Sequence, residues 1–190
     1  MVSGPSVKTA LMDASSAILL HKGGLLHDAT AVYRVAVSPS VAAEVTAPGH
    51  VGSETLGRML ARGAIAVVAP PLSPEALPVG LHAGERDILA LFQAGHGDFV
   101  LIDDGKAAAF CRDTGIPYLN ALLLPRVLSL AGRISRDTCL KATTTITDAG
   151  RYAEWVIRYA RDAENAVLTP FLPSAIVFQH PAKGAAAILP

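Results

Sequence analysis

Two adjacent carboxylates, Asp103 and Asp104, follow directly after the apolar run Phe99-Val100-Leu101-Ile102. This run predicts a strand that is buried on both faces of a parallel sheet. Ligands of open parallel sheets bind just beyond the carboxyl ends of the strands, so the pair stands where a divalent cation would bind. Asp-Asp-Gly is also typical of a solvated turn, and these residues alone leave both interpretations open.

Asp13 and Glu44 occupy comparable places in the first part of the chain. Asp13 lies directly after a strand predicted over Lys8–Met12, where a carboxylate also serves as a helix cap. Glu44 lies on the helix that Ser38 and Pro39 begin, beyond the position of a capping-box glutamate. An exposed helical glutamate is the simpler interpretation of Glu44, so neither residue alone indicates a site.

Glu85 and Asp87 open a later helix, where carboxylates also favour the positive end of the helix dipole. Parallel strands all point the same way, so residues at their carboxyl ends share one edge of the sheet. This arrangement predicts that five acidic residues converge there: Asp13, Glu44, Glu85, Asp103 and Asp104. Arg86 and Lys106 are the cations next to them in sequence, which are too few to neutralise them.

An oxygen-only ligand set favours Mg²⁺ or Mn²⁺ over Zn²⁺, which prefers cysteine and histidine. Such a cation can activate a water molecule and stabilise the leaving oxygen of a phosphodiester. The six histidines offer no other mechanism and are expected at the surface, with only His82 near an acidic residue. An aspartyl-phosphate hydrolase is disfavoured, because the first strand ends in Asp13-Ala14-Ser15 rather than Asp-x-Asp.

Strands and helices alternate along the chain at spacings too long for hairpins. Strands are predicted over residues 8–12, 32–37, 64–68, 99–102 and, as an edge strand, 116–119. Besides the helices that carry Glu44 and Glu85, helices are predicted over 17–22, 53–62, 106–112, 121–130, 136–147 and 151–163. The alternation predicts an α/β fold, a three-layer α/β/α sandwich with a central, mainly parallel sheet.

The domain is expected to span residues 1–163, with a helical C-terminal part, and to be followed by a Pro/Ala-rich tail over 164–190. Apolar residues of the tail, at 171–172 and 176–178, are expected to dock on the body or on a partner. In the last helix Tyr152, Trp155 and Tyr159 recur at helical spacing. That stripe predicts a packing surface rather than a platform for nucleic-acid bases.

The composition is that of a globular protein, since 51% of the 190 residues are hydrophobic and 17% are charged. Sixteen basic residues balance sixteen acidic ones, so strong non-specific binding to nucleic acid is not indicated. No apolar run reaches the roughly 18–20 residues of a spanning helix, which predicts no membrane association. Cys111 and Cys139 lack metal-ligand spacing and are expected to be reduced core thiols of a cytoplasmic protein.

Four segments, taken in order, resemble the PIN-domain family, close to the prokaryotic subgroup related to the toxins of toxin–antitoxin pairs. They are Met12–Ser16 followed by Leu19-Leu20, Ser38–Val45, Leu81–Asp87 and Leu101–Asp104. Each motif alone is weak, but their order and spacing together are more specific. The resemblance covers about residues 7–163.

The resemblance implies a PIN-like fold and an endoribonuclease that hydrolyses RNA phosphodiesters with one or two Mg²⁺ or Mn²⁺ ions. Asp13 would be the anchoring metal ligand, and Ser15 would support it by a hydrogen bond. The remaining acidic places fall on Glu44, Glu85 and the pair Asp103–Asp104. Within that pair the resemblance favours Asp104, and Asp87 ranks below all of them. A homodimer and, for a toxin, an antitoxin partner are also implied.

Two features depart from the compact toxin pattern. Gly105-Lys106-Ala107 follows the acidic pair where a more polar helix start is expected, and Lys106 is expected to be solvated rather than bound to phosphate. The helices beyond Gly132 and the tail also exceed the pattern, which bears on the toxin role more than on the fold. The alternative function is a catalytically silent PIN-fold module that binds protein or RNA, which the balanced charge favours.

Overall fold

The computed structural model describes residues 7–72 and 76–174. Its centre is a sheet of five parallel strands in the order β3-β2-β1-β4-β5. The strands are β1 Thr9–Met12, β2 Arg34–Val37, β3 Ile65–Val67, β4 Phe99–Leu101 and β5 Tyr118–Leu119. The predicted α/β/α sandwich with a parallel sheet is therefore confirmed, and β5 lies at the edge, as the sequence predicts for residues 116–119.

Helices connect the strands and cover the sheet. They are α1 Ala14–Lys22, α2 Leu26–Val32, α3 Pro39–Val45, α4 Ser53–Ala61, α5 Ala83–Gln93, α6 Gly105–Thr114, α7 Leu124–Leu130, α8 Arg136–Ala149, α9 Glu154–Asp162 and α10 Asn165–Leu168, followed by a 3₁₀ turn over Thr169–Phe171. Every connection between consecutive strands contains at least one helix, as parallel pairing requires.

The strand order reverses between β1 and β4. From β1 the chain adds β2 and β3 on one side, and it then adds β4 and β5 on the other side. β1 and β4 pair from Ala10 with Phe99 to Met12 with Leu101. The Asp13 N–H continues this ladder by donating to the Leu101 carbonyl at 3.0 Å. The carboxyl ends of β1 and β4 thus form the switch point of the sheet, where a binding crevice is expected.

The two strands at the switch point are apolar because both of their faces are covered. Leu11 and Met12 on β1, and Val100 and Leu101 on β4, have 0% exposed surface. Such continuous apolar runs are typical of strands in parallel sheets. The first charged residue after β1 is Asp13, so charge enters at the border of the core.

The second predicted strand is shorter than expected. Leu26, Ala29 and Val32 are buried at helical spacing and form the unpredicted helix α2, so β2 begins only at Arg34. Helix α2 is not evident in the sequence, because seven residues contain only two buried repeats of the helical hydrophobic pattern.

Two later helices begin three residues after their predicted starts, and both delays matter for the site. Helix α7 begins at Leu124 rather than at residue 121, because the Ala121 N–H donates to the carboxylate of Asp103. Helix α9 begins at Glu154 rather than at residue 151. The link between α8 and α9 brings Tyr152 to Asp103, so Tyr152 does not belong to the predicted helical stripe.

The other aromatic residues of that stripe do not pack as predicted. Trp155 is 62% exposed and Tyr159 is 48% exposed in the part of the chain that the structure describes. Cys111 and Cys139 are buried free thiols, as predicted for core positions. Among the described helices, none is long and apolar enough to cross a membrane.

The segment after α9, which the sequence assigns to the tail, packs on the body as far as it is described. The Tyr33 hydroxyl donates to the Phe171 carbonyl at 2.6 Å, and the Phe171 ring meets Phe99 edge-on at 5.4 Å between centroids. Lys8 Nζ donates to the Leu172 carbonyl at 2.8 Å. Residues 164–174 are thus joined to the start of the sheet, whereas residues 176–178 lie outside the described residues.

Replacing Phe171 by Ala should lower the free energy of unfolding by about 3 kcal/mol, because the ring is buried against Phe99. Urea unfolding of the full chain measures this change. Val167→Ala is the matched control, since Val167 is 44% exposed, and its effect should stay within about 0.5 kcal/mol. Equal midpoints for F171A and wild type would show that this segment adds nothing to the body.

Candidate functional site

Asp13 is held at the end of β1 by the first turn of α1. It is the N-cap of this helix, and its Oδ1 accepts a hydrogen bond from the Ser16 N–H at 2.7 Å. Its Oδ2 accepts from the backbone N–H of Asp103 at 3.3 Å. Because Asp13 is only 2% exposed, the cap of α1 is also a buried carboxylate.

Asp103 follows β4 and meets Asp13 from the neighbouring strand. Its Oδ2 accepts from the Ser16 hydroxyl at 2.6 Å, and both of its oxygens accept from the Ala121 N–H at 3.2 Å. The hydroxyl of Tyr152 donates to Oδ1. Ser16 therefore binds both carboxylates, through its N–H to Asp13 and through its hydroxyl to Asp103.

Burial makes this pair costly to ionise. Burial and the neighbouring charge of Asp103 raise the pKa of Asp13 to about 7, although hydrogen bonds from Ser16 oppose the shift. Burial likewise raises the pKa of Asp103. Within residues 7–72 and 76–174, no lysine, arginine or histidine forms an ion pair with either carboxylate. Among the described residues the pair therefore has no salt-bridge partner, and a bound cation would supply a compensating charge.

Three further carboxylates lie on helices around this pair. Glu85 is in the first turn of α5, where its Oε2 accepts from the His82 N–H at 2.9 Å. Asp104 caps α6, and its Oδ1 accepts from two backbone N–H groups at 2.8 and 2.9 Å. Glu44 is exposed on α3. Burial raises the pKa of Glu85, and the charges of Asp104 and Glu44 act in the same direction.

Gly84 allows the helices that carry Glu44 and Glu85 to approach each other. A Cβ atom at Gly84 would lie 3.0 Å from Val41 Cγ2 and 3.9 Å from Glu44 Oε2. A side chain at this position would therefore push α3 away from α5. The close approach explains why two residues that are 41 positions apart in the sequence share one acidic group.

These side chains line one cleft with a volume of about 830 Å³. Its lining includes Ser15 and the five acidic residues expected to converge: Asp13, Glu44, Glu85, Asp103 and Asp104. Lys22, at the end of α1, and Arg151, after α8, bring positive charge to the same cleft. Ile18 and Leu19 add apolar surface. The cleft therefore combines five carboxylates, of which Asp13 is buried, with two cationic side chains.

The hydrogen bonds expected of Ser15 are made by its neighbour. Ser16 is fully buried and lies three residues after the cap Asp13, which is the position whose N–H faces a cap side chain. Ser15 is exposed in the cleft. The neighbours Asp103 and Asp104 also differ in their contacts. Asp103 turns toward Asp13, whereas Asp104 caps α6.

Asp87 and Lys106 are not part of the cleft lining. The Ser40 hydroxyl donates to Asp87 Oδ2, which joins α3 to α5. This contact gives Asp87 a structural role in positioning the helices that carry Glu44 and Glu85. Lys106 is exposed, in agreement with the expectation of a solvated helix residue.

The chemistry of the donor set fits a divalent cation, because carboxylate oxygens are the ligands that Mg²⁺ and Mn²⁺ prefer. In the part of the chain that the structure describes, no three Asp, Glu, His or Cys side chains are gathered into a ready-made metal cluster. Asp13 and Asp103 meet directly, whereas Glu44 and Asp104 surround Glu85. A third carboxylate ligand would therefore come from the Glu85 group.

A family model described as PIN domain matches residues 9–154, which is well over half of the chain. The chain belongs to the PIN-domain family. No curated protein and no solved structure matches it. The match begins at the first residue of β1 and extends just past Tyr152, so the PIN domain includes every residue that lines the cleft. PIN domains are generally nucleases.

Four residues at the acidic centre of this PIN domain were missed by the sequence reasoning: Ser16, Lys22, Arg151 and Tyr152. Ser16 carries a signal, because the residue three positions after a capping aspartate donates its backbone N–H to the aspartate side chain. Gly150 carries another, since a glycine that ends α8 removes Tyr152 from the helical register. Lys22 and Arg151 depend on the packing of α8 against α1, which no local pattern predicts.

The raised pKa of Asp13 predicts how the metal-free protein responds to pH. The folded protein keeps this proton up to about pH 7, whereas the unfolded chain loses it near the ordinary pKa of 3.8. The folded state thus binds more protons in this window, and the free energy of unfolding falls as pH rises, by up to about 1.4 kcal/mol per pH unit.

Urea unfolding of wild type and Asp13→Asn in a chelator, from about pH 4 to 8, measures this contribution as a difference. Asp13→Asn should abolish it, because asparagine fills the same space without titrating. Asp113→Asn, on an exposed residue that pairs with Arg112, is the control and should retain the wild-type slope. A D13N slope equal to that of wild type would contradict the assignment to Asp13.

Proposed function

We propose that this PIN-domain protein is an endoribonuclease that hydrolyses RNA phosphodiesters with Mg²⁺ or Mn²⁺. The observation that supports it most is the pair at the switch point of the sheet, where Asp13 is buried and the half-buried Asp103 lies against it. Neither carboxylate has an ion-pair partner among the described residues. A divalent cation would offset the burial that raises both pKa values and the repulsion from Asp103 that adds to the shift of Asp13, so the site is suited to hold one.

In this proposal Asp13 and Asp103 are the central metal ligands, and Glu85, Glu44 and Asp104 complete the site. Asp103 takes the place that the family resemblance gives to Asp104, because Asp103 is the member of the pair that is hydrogen-bonded to Asp13 and Ser16. When bound, the cation supplies Lewis acidity, which activates water and stabilises the leaving oxygen of a phosphodiester.

The chain's own residues orient the carboxylates and bind the substrate. Ser16, Ala121 and Tyr152 donate hydrogen bonds that fix the plane of the Asp103 carboxylate. Lys22 and Arg151 provide positive charge in the cleft, which suits the phosphates that flank a scissile bond. The choice of RNA over other phosphodiesters follows from the resemblance to the nuclease toxins.

A toxin role with an antitoxin protein as partner, a homodimer and a cytoplasmic location remain proposals from the same resemblance. Growth arrest on expression of wild type, but not of Asp13→Asn, would support the toxin role. The elution volume of the purified chain, measured with light scattering, would test the homodimer.

Asp13→Asn and Asp103→Asn should each reduce Mg²⁺- or Mn²⁺-dependent cleavage of RNA by roughly 100-fold or more. Loss of the partners that orient metal ligands costs 10–100-fold, and loss of a ligand costs at least as much. Single-turnover cleavage of a labelled RNA measures the rate. The same substitution at the exposed Asp113 is the control and should leave the rate unchanged. Full cleavage by D13N would contradict the proposal.

The second candidate function is a catalytically silent module that binds RNA or protein. It is favoured by the finding that, within the described ranges, no three metal-ligating side chains are gathered together. This candidate predicts that RNA binds the wild-type chain equally well with and without Mn²⁺ and is recovered intact. The cleavage assay above therefore separates the two functions.

A further inference from the structure

One wall of the cleft is built by the link between α8 and α9, which lies outside the acidic segments that carry the family resemblance. Helix α8 packs on α1 so closely that a Cβ atom at Gly23 would lie 2.9 Å from the Ile146 side chain. This packing places residues 149–152 along the cleft. The link thereby brings the Tyr152 hydroxyl to Asp103.

The hydrogen bond of the Tyr152 hydroxyl has a defined direction. The hydroxyl donates its proton to Asp103 Oδ1, because an ionised carboxylate can only accept. The neighbouring Ala121 N–H binds the same carboxylate. The carboxylate is thus held by the Ala121 backbone and by the Tyr152 hydroxyl, which come from different parts of the chain.

Gly150 is needed for this arrangement because of the space it leaves. A Cβ atom at Gly150 would lie 2.7 Å from Tyr152 Cδ2, so any larger residue would displace the ring. The backbone of Gly150 is extended, at φ −90° and ψ 163°, and other residues adopt it easily. The glycine is therefore explained by the close approach of the tyrosine ring.

We propose that Tyr152 is a positioning residue, which fixes the Asp103 carboxylate in the orientation that binds the divalent cation. This inference rests on the proposed metal-dependent function and adds a residue to it from beyond the acidic motifs. Three donors from three parts of the chain, Ser16, Ala121 and Tyr152, converge on Asp103. Tyr152 is the donor whose hydroxyl can be removed while its ring keeps its place.

The test compares Mn²⁺ binding by wild type, Tyr152→Phe and Tyr159→Phe, measured by isothermal titration calorimetry on the full chain. Y159F is the matched control, because it makes the same chemical change on an exposed ring of α9. Y152F should bind Mn²⁺ at least about 10-fold more weakly, as expected when a hydrogen bond to a metal ligand is lost. Y159F should bind like wild type.

Urea midpoints without metal separate positioning from simple packing. If Y152F has the wild-type urea midpoint but binds Mn²⁺ more weakly, the positioning role is supported. If Y152F loses Mn²⁺ affinity only because its urea midpoint falls and the chain unfolds, the positioning role is overturned. Gly150→Ala keeps the hydroxyl but displaces the ring, and it should weaken Mn²⁺ binding in the same direction.

The outcomes also distinguish this inference from the function on which it rests. If wild type binds Mn²⁺ and Y152F binds it equally well, Tyr152 has no positioning role and the proposed function stands. If folded wild type binds no Mn²⁺, the metal-dependent function and the role of Tyr152 are both overturned.

Discussion

The constraint on which the structure depends is the placement of two carboxylates side by side at the ends of the central strands, with Asp13 buried and Asp103 half-buried. The pairing of β1 with β4 brings Asp13 and Asp103 together at the border between the core and the cleft. The hydrogen bonds around the pair stabilise both carboxylates. Asp13 accepts at the N-terminus of a helix, and Asp103 accepts from two hydroxyls and a backbone N–H. Carboxylates held in this way are suited to bind a cation, and they contribute no apolar packing to the core.

The cleft contains carboxylates of two kinds, which differ in how firmly they are held. Asp13 and Asp103 are fixed by hydrogen bonds on several sides, whereas Glu44 is exposed on its helix. Glu85 and Asp104 lie between these extremes, because each uses one carboxylate oxygen to cap a helix. A rigid inner pair with a more adaptable outer group suits an ion that must also accommodate a substrate.

The sequence predicts the sheet and the convergence of the acidic residues because both depend on local patterns. Apolar runs such as residues 99–102 indicate buried strands, and parallel strands share one edge for their ends. Local patterns do not predict which of Asp103 and Asp104 faces Asp13. Neighbouring side chains on an extended chain diverge, and the start of α6 decides which of the two turns inward. Tyr152 and Arg151 depend on the docking of α8 on α1, which is a contact between distant parts of the chain.

The hydrogen bond between Lys8 and Leu172 joins residues that are 164 positions apart. During translation the strand β1 therefore leaves the ribosome long before the segment that covers its start. Contacts of such large sequence separation slow folding, because a long loop must close before they can form. Tyr152 is also synthesised late, so the nascent chain presents Asp13 and Asp103 before their last hydrogen-bond donor exists. The complete cleft thus forms only after residue 152 has been synthesised.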